Sequence, residues 1–322
     1  MISFETYIIK QAYKRHQELG DKLSDVGSLM DWGAFRPITA SCYNNLTERG
    51  GRPNIDCTVM LKLLVLQHWY GLSDPELERQ VTDRLSFMSF LGFPETLPDY
   101  TTVWLFRERL IQSGKMEKVW SELQRQLDRK GLKVKRGAVQ DATFITADPG
   151  HMSSDEPRGD DALTRRGRDG TWTKKGNRSY LEYKLHLKTD LRYGIIRAVE
   201  ATTASVHDSQ ADLSEGGEVV YRDRGYFDVE AKGYDAAMLR GTRAGPISIF
   251  DRLRKERISR RRAPIERTFA VLKRVFKAVH VLVTTVPRVK VKMLISCLCF
   301  NLMQMLTIQR WVQAWDLDWG RK

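Results

Sequence analysis

The sequence predicts an α/β protein in which an all-helical N-terminal domain, 1–132, precedes a domain with a mixed five-stranded sheet and helices, 133–310. Apolar residues keep helical spacing up to about residue 130 and alternate in strand-like fashion from Lys133 onward. The chain has 322 residues, 42% hydrophobic and 29% charged, which is typical of an ordered globular protein. Disordered, fibrous and small disulfide-rich classes are therefore excluded.

Four helices are predicted in the N-terminal domain from their caps and apolar spacing. Asp56 begins one that Gly71 ends, and Ser73 begins the next with Glu76 completing a capping box. The other two run from Thr101 or Thr102 to Leu110 and from Met116 to Lys130. These short helices carry four arginines: Arg79, Arg84, Arg107 and Arg109. The arginines suit a helix-turn-helix that binds DNA, but an all-helical packing or dimerisation module fits the sequence as well.

Five strands are predicted in the second domain: 138–147, 181–188, 194–202, 218–222 and 247–250. In the second of these, Leu181 to Leu187 place apolar groups on one face, and Glu182 to Lys188 place polar groups on the other. A helix is predicted near 229–239 and a long one from Pro264 to Ala278. Three antiparallel-looking strands followed by another strand and helices outline a ribonuclease-H-like domain. Residues 311–322 form a tail rich in tryptophan.

The net charge of +13 comes from two stretches, 158–178 with +4 and 252–277 with +9. Such concentration predicts a surface for a polyanion, most simply nucleic acid. We interpret both stretches as insertions or linkers in the second domain. Trp172 lies among cations that include Lys174 and Lys175, which suits stacking on an unpaired base, although a loop residue folded over apolar surface is equally compatible.

Export and membrane insertion are not predicted. The four cysteines lack zinc-ligand spacing and are interpreted as buried thiols in a reducing cytoplasm. Charged residues interrupt Met1 to Glu18, so that this stretch does not fit a signal peptide. The most apolar segment, Met293 to Ile308, is shorter than a span of about 20 residues and contains Asn301 and Gln304. We expect a cytoplasmic protein.

Three acidic residues are candidates for chemistry. Asp141 stands inside an apolar strand, where an acid is unfavourable unless it is paired or binds a cation, and Asp223 stands at a strand end. On the late helix, Arg262, Glu266 and Lys273 fall within about 40° of one another at the border of a buried stripe. Converging carboxylates suit hard divalent cations and phosphodiester chemistry. The alternative for Glu266 is a surface salt bridge with Arg262.

These residues resemble a known family. Asp141-Ala-Thr, Asp223-Arg-Gly-Tyr and Arg262-x3-Glu266-x6-Lys273 are similar to the three signatures of insertion-sequence transposases with a catalytic Asp, Asp, Glu triad. Other segments resemble the insertion sequence five family of these transposases: 51–64, 70–73, 83–87, 101–107 and 202–209. The family has a Tyr three residues before the signature Arg, where this chain has Ser259.

The resemblance implies a DNA transposase that binds terminal inverted repeats, cleaves at the element ends and joins the 3′-hydroxyl ends to target DNA. Asp141, Asp223 and Glu266 would be catalytic and would bind two Mg²⁺ ions, for which Mn²⁺ substitutes. It also implies double-stranded DNA as partner, a homodimer or higher oligomer on DNA, and a nucleoid-associated place in the cytoplasm. The expected DNA-binding residues are Arg262, Lys273, Arg260, Arg261, Trp172, Lys174, Lys175 and His207.

Several alternatives stay open from sequence. His207 and Asp208 fit either a phosphate-adjacent position or a turn stabilised by its own side chain. Asp148 and Asp228 are weaker candidates for metal ligation. A nuclease of the same fold that hydrolyses without strand transfer, and a DNA-binding protein without turnover, are the alternative functions.

Overall fold

The computed structural model describes residues 4–43, 53–150, 157, 161, 168–226, 229–238, 248–282 and 285–319. The chain divides into two compact units. A helical unit comprises Met1–Gly131 with Asn301–Lys322, and a sheet unit comprises Leu132–Phe300.

Eight α-helices lie in the described part of 1–131: α1 Phe4–Glu18, α2 Lys22–Leu29, α3 Arg36–Ala40, α4 Cys57–Tyr70, α5 Asp74–Asp83, α6 Leu85–Leu91, α7 Tyr100–Ser113 and α8 Lys115–Arg129. The four predicted helices correspond to α4, α5, α7 and α8. Asp56 caps α4 by accepting from Thr58 N at 2.7 Å, and Gly71 ends it with φ of 63°. The cap of α7 is Asp99 and not a threonine, since Asp99 Oδ1 accepts from the backbone N of residue 102 at 2.6 Å.

The arginines of this unit make internal contacts. Arg107 pairs with Asp74 at 2.8 Å, and Gln67 donates to the same carboxylate at 2.5 Å, so one half-buried network joins α4, α5 and α7. Arg84 lies 4.3 Å from the ring centroid of Phe87. Arginines engaged in this way stabilise helix packing.

Seven strands form one mixed sheet in the described residues: β1 Ala138–Ala147, β2 Thr171–Lys175, β3 Arg178–Asp190, β4 Ile196–Thr203, β5 Val219–Arg222, β6 Tyr234–Ala237 and β7 His280–Val281. Along the main path the order is β2-β3-β1-β5-β6, with β4 also paired to β3 and β7 to β1. β3 runs antiparallel to β1, β2 and β4, whereas β5 is parallel to β1 and β6 to β5.

The predicted count of five strands is therefore low by two, because β2, β6 and the very short β7 were not recognised and one predicted strand is not present. The predicted fifth strand at 247–250 is wrong: Ser248 accepts from Asp251 N at 3.0 Å and caps a helix that begins at Ile249, while residue 247 lies outside the described residues. The helix predicted near 229–239 is also wrong in its described part, where β6 pairs with β5. A four-residue strand gives too short a pattern to be distinguished from a helix.

Two long helices complete the fold: α9 Ile249–Arg274 and α10 Val286–Trp319. α9 contains Pro264 in its interior, so the helix predicted to begin there starts 15 residues earlier. Residues 252–274 of the basic stretch 252–277 are consequently part of a helix and not a linker, and residues 171–175 of the other basic stretch form β2.

Helix α10 is longer than the apolar segment predicted from sequence. Within the described residues, its part Val286–Val312 is long and apolar enough to cross a membrane, and 72% of the most apolar window is buried inside the protein. Such burial is typical of a core helix. All four cysteines are buried, and none of them forms a disulfide bond.

Candidate functional site

The register of β1 and β5 places the two aspartates at the same level of adjacent strands. Val139 is the partner of Tyr221 in this parallel pair. Asp141 and Asp223 each lie two residues further along, so both side chains lie at the same level on one face of the sheet. Gly137, with φ of 93°, allows the close approach of these strands, because a Cβ there would lie 2.6 Å from the Val219 carbonyl oxygen.

One guanidinium lies between the two carboxylates. Arg262 Nη2 donates to Asp141 Oδ2 at 2.9 Å, and Arg262 Nη1 is 3.3 Å from Asp223 Oδ1. The side chains of Arg262 and Asp141 are 15% and 19% exposed, whereas that of Asp223 is 49% exposed. Burial raises the pKa of the Asp141 carboxyl, Arg262 opposes this rise, and the nearby Asp223 adds to it.

Helix α9 also reaches β1 through Lys273, whose Nζ donates to Thr143 Oγ1 at 2.6 Å. Thr143 is two residues beyond Asp141 and therefore on the same face of the strand. Glu266 lies on α9 between the two cations and is exposed. Among the described residues it forms no salt bridge with Arg262, whose guanidinium is engaged by the aspartates.

The other face of β3, which the sequence predicts to carry the polar groups, is a buried layer. Lys184, His186 and Lys188 are 7%, 0% and 1% exposed. Lys184 pairs with Asp208 at 2.9 Å, and Lys188 contacts Glu218 at 2.8 Å. Alternation along a strand indicates two faces but not whether the second is covered.

This polar layer holds the segment that precedes β5 and Asp223 through hydrogen bonds. Gln140 on β1 accepts from Leu213 N at 3.1 Å and donates to the Ala211 carbonyl oxygen. Asp208 also lies near the turn after Asp223, since a Cβ at Gly225 would be 3.6 Å from its carboxylate. Sequence reasoning assigned no role to Lys184 or Gln140, because a polar group on one face of a strand does not by itself indicate which groups it contacts.

Burial in this layer lowers the pKa of His186 to about 4, with a neighbouring Lys184 acting in the same direction and Asp208 opposing both. The imidazole is therefore neutral at pH 7, and its Nε2 lies 2.9 Å from Thr202 Oγ1. Its Nδ1 is buried without a hydrogen-bond partner among the described residues.

The remaining predicted site residues are spread over the sheet unit. Arg260 is exposed, and Arg261 lies 5.1 Å from the Tyr221 ring centroid. Trp172 is half-buried on β2, opposite Leu181. Leu181 lies six residues along β3 from Leu187, which is the strand partner of Asp141. Trp172 is therefore about 20 Å from Asp141 along the strand direction.

The other predicted residues make local contacts or lie outside the description. Lys174 is exposed, and of Lys175 only the backbone is described. His207 caps the 3-10 turn Asp208–Gln210, where its ring accepts from Ser209 N at 3.4 Å. Asp148 accepts from Gly150 N at 2.9 Å in a turn, and Asp228 lies outside the described residues.

Two segments of the chain match known protein families. Residues 133–302, more than half of the chain, match the family described as Transposase DDE domain. Residues 11–109 match the family described as Transposase domain (DUF772). No solved structure matches the chain. The match covers the sheet that carries both aspartates together with the helix of Glu266, and it implies the ribonuclease-H-like fold that the sheet order shows. The chain belongs to the DDE transposases of insertion sequences.

Proposed function

We propose that this transposase binds the terminal inverted repeats of its element, cleaves DNA at the element ends and transfers the 3′-hydroxyl ends into target DNA. The observation that carries the proposal is the convergence of two carboxylates, Asp141 and Asp223, on one cationic group at one face of the sheet. A third carboxylate, Glu266, follows that cationic residue by four positions on α9, which is about 6 Å of helix.

The donor set fits a hard divalent cation. All three proposed ligands are carboxylates, which Mg²⁺ prefers and Mn²⁺ accepts. As it stands, no group of three His, Cys, Asp or Glu side chains in the described residues is close enough to hold an ion. Asp141 and Asp223 already share a cation, so completing the set would require Arg262 to leave them and Glu266 to approach them. Two bound ions would supply activation of the attacking oxygen and stabilisation of the leaving oxygen.

The cations on the inner face of α9 are proposed to position the scissile strand. Lys273 lies beside the same strand as Asp141 and holds a compact ammonium next to Thr143. A phosphate oxygen near the carboxylates is within the range of such a group if it leaves the threonine hydroxyl.

The outer face of α9 is proposed to bind the DNA backbone. Four exposed arginines follow one line along the helix: Arg257, Arg260, Arg267 and Arg274. They fall within about 100° of one another, and the centre of this group lies about 150° around the helix from the centre of the group formed by Glu266 and its neighbouring cations. The line is about 25 Å long, or roughly seven base pairs of duplex. The outer arginines would therefore contribute affinity and the inner cations would contribute orientation.

Two DNA ends have to be joined, and the described part of each chain carries one set of proposed carboxylates. We therefore propose a homodimer or higher oligomer on DNA. The cytoplasm, in association with the nucleoid, is the proposed location. Trp172, Lys174 and Lys175 remain proposed contacts to DNA away from the carboxylates, and His207 remains a proposed contact near the Asp223 turn.

The experiment uses DNA duplexes that copy both flanks of the gene, with Mg²⁺ or Mn²⁺. Asp141→Asn, Asp223→Asn and Glu266→Gln are each expected to abolish cleavage and to retain DNA binding, since each removes one ligand charge with little change of volume. Asp148→Asn is the matched control and should cleave normally. Full cleavage by any of the three would remove that residue from the site.

A second assay supplies pre-cleaved 3′-hydroxyl ends and a target plasmid. Joined products that depend on the same three carboxylates are the expected result. Cleavage without joining would instead identify a nuclease of the same fold, and binding without either reaction would identify a DNA-binding protein without turnover.

A further inference from the structure

Arg262 is held too deeply to contact DNA in this arrangement. Its side chain is 15% exposed, and both terminal nitrogens are engaged by the two aspartates at 2.9 and 3.3 Å. Nη1 also lies 3.6 Å from Met238 Sδ. The guanidinium thus fills the space in which a cation shared by Asp141 and Asp223 has to lie.

The same two carboxylates cannot bind a guanidinium and a divalent ion in that space together. The two cations would repel one another, and both need the carboxylate oxygens that face each other. Asp141 is the more dependent partner, because it is 19% exposed and has little water to replace a lost counter-ion.

We propose that Arg262 is an internal counter-ion that occupies the cation position between Asp141 and Asp223 in the metal-free protein and must leave it before a divalent ion binds. Once the guanidinium leaves the two aspartates, a DNA phosphate provides an alternative anionic partner for it. DNA and metal binding are then coupled, so that each strengthens the other. This inference rests on the proposed function, since it takes the two aspartates as metal ligands.

The coupling between DNA binding and metal binding follows from the position of the Arg262 side chain and from the position to which it can rotate. It stands one helical turn before Glu266, on the inner face of α9 and at the exposed edge formed by Asp223. A rotation of its long side chain toward solvent would expose the guanidinium to a backbone phosphate and leave both aspartates without a counter-ion. The metal would then replace the charge that departs.

The first experiment measures Mn²⁺ affinity by titration calorimetry on the full chain without DNA. Arg262→Ala and Arg262→Gln are expected to bind Mn²⁺ at least about tenfold more tightly than the wild type, equivalent to about 1.4 kcal/mol. The Gln variant keeps most of the side-chain volume and guards against collapse of the site. Equal or weaker Mn²⁺ binding by both variants would overturn the proposal.

The second readout is thermal stability, which separates a counter-ion from an ordinary structural arginine. Removal of Arg262 is expected to lower the Tm without metal, and Mn²⁺ should restore it. Arg197→Ala is the matched control, because Arg197 and Asp190 form another ion pair in the sheet unit, 7% and 0% exposed. Its Tm should fall and Mn²⁺ should not restore it. Failure of Mn²⁺ to restore the Arg262 variants would contradict the inference.

The third readout is the coupling itself. A non-cleavable duplex of the element end should raise the Mn²⁺ affinity of the wild type by about the factor gained in Arg262→Ala, and should add little in that variant. An equal gain in both proteins would show that Arg262 does not link the two ligands.

The same titrations distinguish failure of this inference from failure of the proposed function. Asp141→Asn combined with Arg262→Ala should lose the Mn²⁺ response. If the double variant still binds Mn²⁺ as Arg262→Ala does, the proposed ligands are wrong. If it loses binding while Arg262→Ala equals the wild type, the ligands are right and only the counter-ion inference is wrong.

Discussion

The side chain of Lys273 offers a sharp test because its neighbour on the helix is a matched control. Lys273 Nζ lies 2.6 Å from Thr143 Oγ1, beside the strand of Asp141. Arg274 is exposed and points about 100° away around α9. We therefore compare Lys273→Met with Arg274→Met, since methionine keeps the apolar stem and removes only the charge.

The expected magnitude follows from the contact that the ammonium would make with a phosphate oxygen. A charge-assisted hydrogen bond in a partly shielded site contributes about 1.5–3 kcal/mol. At about 1.4 kcal/mol for each factor of ten, Lys273→Met should slow cleavage by roughly 10- to 150-fold. Arg274→Met, which removes an exposed charge on the outer face, should change the cleavage rate less than about threefold.

The assay is single-turnover cleavage of an element-end duplex at saturating protein, with the Mn²⁺ dependence measured in parallel. The rate should fall in Lys273→Met while the Mn²⁺ concentration for half-maximal rate stays unchanged, because the lysine positions phosphate and binds no metal. Thr143→Val removes the resting partner but keeps the ammonium, so its effect should be much smaller. Equal, small effects of Lys273→Met and Arg274→Met would refute the reasoning, as would a loss in Thr143→Val that matches the loss in Lys273→Met.

Three further predictions concern the fold and the DNA surface. Gly137→Ala should lower the Tm and impair cleavage, because its Cβ would lie 2.6 Å from the Val219 carbonyl oxygen; an unchanged Tm would contradict the close approach of β1 and β5. The depressed pKa of His186, about 4, means that the unfolded state takes up the proton first as the pH falls below about 6.5. The stability contributed by the neutral imidazole is thus complete above that pH and is lost toward pH 4, so the wild type should lose about 2 kcal/mol more than His186→Gln between pH 7.5 and 5 in urea titrations. Parallel curves for the two proteins would refute this. Replacing Arg260 and Arg267 by Gln should flatten the salt dependence of DNA binding by about 0.9 per lost phosphate contact, and an identical slope would remove these arginines from the DNA surface.

Local rules gave much of the architecture in advance. Caps such as Asp56 and Ser73, with Gly71 as a stop, define α4 and α5 because capping hydrogen bonds form within a few residues. The long strands β1, β3 and β4 follow from alternation over eight residues or more. The prediction was wrong at the short strand β6, since four residues carry too little pattern to distinguish a strand from a helix.

The candidate site divides in the same way. The sequence by itself determined that acids stand in and after strands and that Arg262, Glu266 and Lys273 share a helix face, because both properties depend only on backbone periodicity. It did not determine that Lys184 and His186 are buried, since alternation along a strand does not show whether a face is covered by other segments.

Tertiary structure alone decided how the charges are paired. Arg262 is separated from Asp141 by 121 positions and was expected to contact DNA or Glu266, yet its guanidinium lies between the two aspartates. Only the parallel pairing of β1 with β5 and the packing of α9 on the same face bring these groups together. Charge interactions depend on distance and burial in space, and neither can be obtained from spacing along the chain.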